Sequence, residues 1–457
     1  MPTNERVTPP PPVARGLPVV GVLPEFARDR LGFLERVARD EGDVVELQFK
    51  PVFTSYFVND PALIEQVLVK NAANFTKDVF LQQLRVWLGM GLLTAEGDFW
   101  KRQRRLLQPS FHRERIASYA RVMVDRSERA ARAWRDGEVF DVHEALMKLT
   151  AEIVGETLFG SDVGNVGEEV SHALEAVMRF YANPVLQVFP VLQRVPLSIN
   201  RDYLAGVRRI DAIVREIVRE RRATRRAGEG NDLLSMLLAV QDEDGSRLTD
   251  EQVRDEALTI FLAGHETTAL ALSWSFYLLS ENPGVERKLH AELDAVLGER
   301  GPTLEDLPKL KYTDAVVHEA LRLYPPAWTL GRESIAPFDL GKYHFPAGAW
   351  LWFAPWVTHR DPRWFDDPLA FKPERWEDGL AKRLPKFAYY PFGGGPRVCI
   401  GNQFALMEAV LVLATIARRF SLRTVDRAHV EPFPSVTLRF KRGLRMRVSQ
   451  RASITAT

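Results

Sequence analysis

The chain has 457 residues, with 61 Lys and Arg against 60 Asp and Glu, 46% hydrophobic residues and a single Cys. The net charge of +1 argues against a nucleic-acid-binding footprint, which needs a basic excess, and the apolar content argues against an acidic disordered chain. One cysteine excludes any intramolecular disulfide and any multi-cysteine zinc or iron–sulfur site, leaving a buried thiol, a nucleophile or a single thiolate ligand.

The N-terminus, MPTNERVTPPPPVARGLPVVG, has no apolar run of signal-peptide length, and Pro9 to Pro12 block a helix there. Neither a secretion signal nor a membrane anchor is expected. About residues 1–14 and 450–457 are expected as flexible tails. Strand patterns occupy Val44–Phe49 and Thr54–Val58. Asp60 and Pro61 then supply an N-cap and a proline at the first helical position, opening a helix to about Val69. Helical patterns dominate from about Trp100 to Leu297. Within them Phe180–Val195 is interrupted by Pro184 and Pro190, and Arg219–Arg226 reads as a charged helix end running into a solvated loop.

The segment Leu258–Leu279 is apolar and, as a helix, about 33 Å long, enough to span a bilayer. His265 and Glu266 sit near its middle, where charge is costly in lipid. Thr249-Asp250-Glu251-Gln252 fits a capping box ahead of it, followed by the charged turn Arg254-Asp255-Glu256. A long helix through a protein core is therefore expected. Short β patterns run from Gly331 to Phe353, a Pro- and aromatic-rich coil from Thr358 to Phe392, a long helix after Cys399, and β patterns again from Val436 to Val448. No repeat or linker divides the chain. The expected class is mainly α (α+β), one domain over 1–457.

Chemistry concentrates in three places. Cys399 lies in Phe392-Gly393-Gly394-Gly395-Pro396-Arg397-Val398-Cys399-Ile400-Gly401. Glycines allow close backbone approach, and peptide N–H groups beside a thiolate lower its pKa. The glycines do not form a nucleotide loop, because no Gly-Lys-Ser/Thr follows, and no C-x-x-C-H for covalent haem exists. In Ala263-Gly264-His265-Glu266-Thr267-Thr268, two small residues let a planar ligand lie flush against the helix, while an acid and an alcohol can relay protons. A zinc-binding H-E-x-x-H fails at Ala269. Glu319 and Arg322 share a helical face among apolar neighbours, so a buried pair is expected.

The pattern F-x-x-G-x-R-x-C-x-G, met at Phe392, Gly395, Arg397, Cys399 and Gly401, resembles the haem-thiolate signature of the cytochrome P450 family. The resemblance extends over nearly the whole chain. It implies the family's fold, with haem b buried between the central helix and the cysteine-following helix, and Cys399 as the axial iron ligand. Phe392, Gly393, Gly401, Ala263 and Gly264 would flank the haem. Trp100 and Arg104, a W-x-x-x-R pair one helical turn apart, would hold a propionate, with Arg397 and Arg332 as further partners. Thr267 would hydrogen-bond bound O2 and Glu266 would deliver protons, while Glu319, Arg322 and Arg375 of Pro373-Glu374-Arg375-Trp376 would form a structural network. The family often has Phe where this chain has Trp376.

The implied activity is monooxygenation of a lipophilic molecule, such as a fatty acid, terpenoid or steroid. Matching the family's substrate-contacting regions gives Phe80, Leu81, Leu84 and Trp87, Phe261 and Leu262, Ala327, Trp328, Thr329 and Leu330, and Val436, Thr437 and Leu438 as the pocket. Phe180–Val195 would be its lid. No fused reductase is expected, so electrons would come from a separate ferredoxin or flavodoxin, with NAD(P)H acting only through its reductase. Lys101, Arg102, Arg105, Lys382, Arg383 and Lys386 would offer that partner a basic patch. The chain is expected as a cytoplasmic monomer with no membrane anchor and no nucleic-acid partner. A peroxide-driven peroxygenase, a haem-thiolate isomerase and a non-catalytic haem gas sensor or carrier remain alternative readings.

Overall fold

The computed structural model describes residues 9–160, 173–181, 183, 186, 190–223, 232–239, 241, 245, 247–377 and 379–451. Pro184, the loop after the Arg219–Arg226 stretch and residues 1–8 and 452–457 lie outside the described residues. The main helices are α1 (Gly97–Leu107), α2 (Arg113–Ala133), α3 (Val142–Phe159), α4 (Ser198–Ala223), α5 (Leu233–Ala239), α6 (Asp250–Glu281), α7 (Pro283–Leu297), α8 (Lys311–Leu323) and α9 (Asn402–Arg419). The strands are β1 (Val44–Phe49), β2 (Phe53–Val58), β3 (Phe75–Thr76), β4 (Val139–Asp141), β5 (Leu330–Ser334), β6 (Phe338–Leu340), β7 (Tyr343–Phe345), β8 (Trp350–Phe353), β9 (Phe420–Thr424), β10 (Pro432–Pro434), β11 (Leu438–Phe440) and β12 (Arg445–Gln450).

The chain forms two compact units. The first comprises Met1–Leu84, Ala327–Ala370 and Ala381–Cys399. Its five-stranded sheet has the order β1-β2-β8-β5-β3, antiparallel except for the parallel pair of β2 and β8. Alternation along β1 and β2 puts the paired Val44 and Val58 on one face, in the core of this unit. Phe75, Phe338 and Phe345 close the core, with Phe338 stacked on Phe345 at 5.0 Å. As the sequence predicts, Asp60 caps the following helix, its carboxylate accepting from the N–H groups of Ala62 and Leu63, both at 2.9 Å.

The second unit comprises Arg85–Pro326, Phe371–Leu380 and Ile400–Thr457. Its axis is α6. The capping box forms as expected: Gln252 N–H donates to Thr249 Oγ1 at 3.2 Å, and Thr249 N–H donates to Gln252 Oε1 at 2.9 Å. A helix apolar on nearly every side must be buried on nearly every side, and α3, α4, α8, α9 and β9 pack around this one. Among the described residues no helix is long and apolar enough to cross a membrane. Trp274 fixes the late strands to α6. Its ring stacks on Tyr324 at 4.0 Å and on Phe440 at 3.8 Å, and its N–H donates to Leu438 O at 3.1 Å. That anchorage brings β11 beside the middle of α6.

Candidate active site

In the first unit the glycine-rich loop is built by steric necessity. Gly395 has φ +65° and lies so close to the preceding helical turn that a Cβ would sit 1.8 Å from Leu68 O. A Cβ at Gly394 would meet the Phe387 ring at 2.3 Å. Such contacts and a positive φ leave glycine as the residue that fits. The loop closes where Cys399 N–H donates to Phe392 O at 3.0 Å, and it leaves Cys399 exposed. Arg397, Phe392 and Gly393 around it are half-buried. A buried polar set supports the loop from behind. Tyr390 N–H donates to His359 Nε2 at 2.9 Å, and Thr358 Oγ1 donates to Asn59 Oδ1 at 2.8 Å. Arg332 is half-buried and bonds Gly331 O at 2.7 Å.

In the second unit, Ala263 is exposed and Gly264 and Thr267 are half-exposed, on a helix otherwise buried at this level. Ala263 and Thr267 are one turn apart, so a single uncovered face runs past both. Gly264 also serves packing: a Cβ there would come within 3.2 Å of Val154 on α3. The Thr267 hydroxyl donates to Ala263 O at 2.7 Å. Glu266 is buried, and its Oε1 accepts from Thr437 Oγ1 at 2.7 Å and from Arg439 Nε at 2.6 Å. Burial alone would raise its pKa, but Arg439 and Thr437 together hold it below the usual carboxylate value. Two imidazoles stand nearby, His265 buried and His143 half-buried. His265 bonds Phe261 O at 3.1 Å, and His143 on α3 bonds Ser273 Oγ at 3.1 Å. Burial lowers both pKa values, that of His143 to about 4, so both are neutral at pH 7.

Also in the second unit, Glu319 is fully buried and gathers five donors. Arg322 supplies two (2.9 and 2.8 Å), Arg375 one (3.0 Å), Lys372 N–H one (3.0 Å) and the Trp376 indole one (2.9 Å). The three charged residues expected to meet do so, and Trp376 joins them. Trp100 is buried on α1 and Arg104, one turn on, is half-buried.

A family model described as Cytochrome P450 matches residues 9–443. The chain belongs to the cytochrome P450 family. Three bacterial relatives match it nearly end to end. Cyclooctatin synthase of Streptomyces melanosporofaciens is 38% identical over 93% of this chain and 92% of its own length. Cyclooctat-9-en-7-ol 5-monooxygenase of the same organism is 37% identical over 90% of this chain and 88% of its own. Pentalenene oxygenase of Streptomyces avermitilis is 34% identical over 95% and 96%. The chain is accordingly an oxidoreductase, a haem-thiolate monooxygenase that uses O2, acts on a lipophilic molecule and draws electrons from a redox partner.

The residues of this cytochrome P450 fit a haem. The donor set offers one exposed thiol on a closed turn, and α6 offers one uncovered strip of small side chains. The predicted pocket residues are dispersed in environment. Phe80 packs among Phe53, Trp350 and Trp352, with ring centroids 5.6 to 6.1 Å apart. Leu81 is half-buried, whereas Leu84, Trp87, Phe261, Leu262 and Trp328 are buried. Ala327, Thr329 and Leu330 are half-buried, Val436 is exposed, and Leu438 is fully buried beside Thr437. Sequence reasoning placed Thr437 in the pocket for its position. The structure shows its hydroxyl committed to Glu266, together with Arg439, which was not singled out. His359 and Asn59 were also missed. A buried His in a coil otherwise rich in Pro and aromatics was the available signal.

Proposed function

We propose that this cytochrome P450 hydroxylates a lipophilic terpenoid, with Cys399 as the thiolate ligand of haem b and Glu266 and Thr267 as the acid and alcohol that handle protons at the reacting centre. When bound, the haem supplies activation of O2 and insertion of one oxygen atom into a C–H bond. The observation that carries the reading is the uncovered Ala263–Thr267 turn with the buried Glu266 carboxylate, paired with Arg439, beside it. The relatives named for cyclooctat-9-en-7-ol and pentalenene support the substrate class.

Each chain residue has a physical task. The turn at Cys399 presents the sulfur on a short rigid arch, and the neighbouring Arg397 favours its thiolate form. Trp100, Arg104, Arg397 and Arg332 would each donate to a haem propionate, the guanidinium fork matching a carboxylate. Phe392, Gly393, Gly401, Ala263 and Gly264 would flank the haem. Phe261, Leu262, Trp328 and Leu330 exclude water from the substrate. Glu266 starts as a carboxylate clamped by Arg439 and Thr437. To carry a proton toward Thr267 it must rotate out of that clamp, so the ion pair meters proton supply. The Thr267 hydroxyl holds a donated hydrogen bond on Ala263 O and keeps its lone pairs for a proton arriving from Glu266. Electrons come from a separate ferredoxin or flavodoxin whose reductase uses NAD(P)H. The enzyme works as a cytoplasmic monomer, one haem domain over 1–457.

The test is the carbon monoxide difference spectrum of the reduced protein, with Cys399→Ser as control. A strongly red-shifted Soret band that vanishes in the variant supports thiolate ligation. Haem-loaded protein without that band overturns the assignment. Turnover that needs peroxide and no reductant would move the reading to a peroxygenase.

A further inference from the structure

Three successive residues of α6, Glu266, Thr267 and Thr268, are fanned by about 100° each around the helix. Glu266 turns to β11 and Thr267 belongs to the uncovered face. Thr268 is buried and turns towards α9, where Glu408 faces it. Glu408 is fully buried, and neither carboxyl oxygen accepts a hydrogen bond. Among the described residues no cation offsets it. Charged groups on the elements packed on α9 form pairs of their own. On α6, Glu266 pairs with Arg439, and on α8, Glu319 pairs with Arg322. On α2, Glu128 pairs with Arg418 and Arg419 at the far end of α9, and on α7, Glu286 pairs with Arg423. An ionised carboxylate cannot be left in such a place, whereas a neutral acid needs one acceptor. Thr268 provides it: its own proton goes to Gly264 O at 3.0 Å, so its oxygen has lone pairs to accept with.

We propose that Glu408 is a proton-locked positioning residue, neutral at physiological pH, that donates a hydrogen bond to Thr268 and so ties α9 to the turn of α6 bearing Thr267. The two carboxyl groups flanking this turn are thereby driven to opposite states, Glu266 ionised and Glu408 protonated. Burial raises the Glu408 pKa well above the ordinary carboxylate value. A carboxyl that keeps its proton when folded and loses it when unfolded makes stability fall as pH rises from about 4.5 to the folded pKa.

The experiment uses the haem-loaded protein and Glu408→Gln, which keeps shape and donor but cannot ionise. The infrared difference between wild type and variant at pH 7 should contain a protonated-carboxyl C=O band. The melting temperature of the variant should gain on the wild type steadily as pH rises from 5 to 9. Substrate-induced spectral shifts should stay within about twofold. Glu408→Ala, lacking the donor, should lower product formed per electron consumed about fivefold, the worth of one neutral hydrogen bond. A carboxylate band in place of the protonated one at pH 7, or parallel stability curves for wild type and E408Q, overturns the proposal. Both readouts are independent of oxygen chemistry and stand even where the haem roles above fail.

Discussion

Glu266 illustrates how a single side chain is set by competition. Desolvation favours its neutral form, and Arg439 Nε at 2.6 Å with Thr437 Oγ1 at 2.7 Å reverses the outcome. Because the folded pKa lies below the ordinary value of 4.5, this group contributes stability that is present above 4.5 and is lost as pH falls through the folded pKa. Arg439→Met removes the cation and leaves a buried carboxyl with one hydrogen bond. The expected cost near pH 7 is about 3–5 kcal/mol, measured by denaturant unfolding, and the acid limb of the stability curve should move to higher pH. In the loaded enzyme more reducing equivalents should be lost to peroxide, because Glu266 is no longer clamped. Thr437→Val should cost only about 1 kcal/mol. An Arg439→Met protein as stable as wild type from pH 4 to 8 would show that the pair does not hold Glu266. The acid and the alcohol were legible in the sequence from their order on one helix. Their regulator was not, since Arg439 is 173 residues from Glu266 and only the stacking of Trp274 on Phe440 brings the strand there.

At the scale of elements, the joint between α8 and the Phe371–Leu380 segment depends on Glu319. A fully buried carboxylate needs its lone pairs filled, and five donors converge on it. Trp376 supplies one through its indole N–H at 2.9 Å. A phenylalanine could fill the space but not make that bond. Trp376→Phe is therefore expected to destabilise by about 1–3 kcal/mol. Arg375→Met, which removes a charge, should cost about 3–5 kcal/mol. Urea unfolding of both variants tests the ranking, and an equal or larger loss for the tryptophan would contradict it. Local signals served the sequence well here. The Thr249 capping box, the Asp60 cap and the i, i+3 pair of Glu319 and Arg322 all depend on neighbours within one turn. Strands β3, β4, β9 and β10 escaped notice because a two- to five-residue strand is defined by its partner. β12, for example, pairs with β4 about 300 residues earlier, Arg445 facing Asp141.

At the scale of the whole molecule the near-neutral balance of 61 basic and 60 acidic residues hides local asymmetry. On α1, Lys101 and Arg105 are exposed and Arg102 is half-exposed, with Asp98 pairing with Lys101 at 2.9 Å. In the first unit, Lys382, Arg383 and Lys386 are exposed, and Lys386 lies 3.6 Å from Glu65. Exposed charges at such distances add little stability. Their field instead acts on an approaching protein and is screened within about 8 Å at physiological salt. An acidic ferredoxin or flavodoxin would therefore meet faces that steer it at low ionic strength. Neutralising Arg102 and Arg105 together to Gln should leave folding and the carbon monoxide spectrum unchanged. It should slow reduction by such a partner about tenfold at low salt, with the difference shrinking as salt is raised. Stopped-flow reduction over a salt series measures both. A tenfold loss that persists at high salt would point to a specific contact rather than steering, and unchanged kinetics at low salt would place the partner on another face.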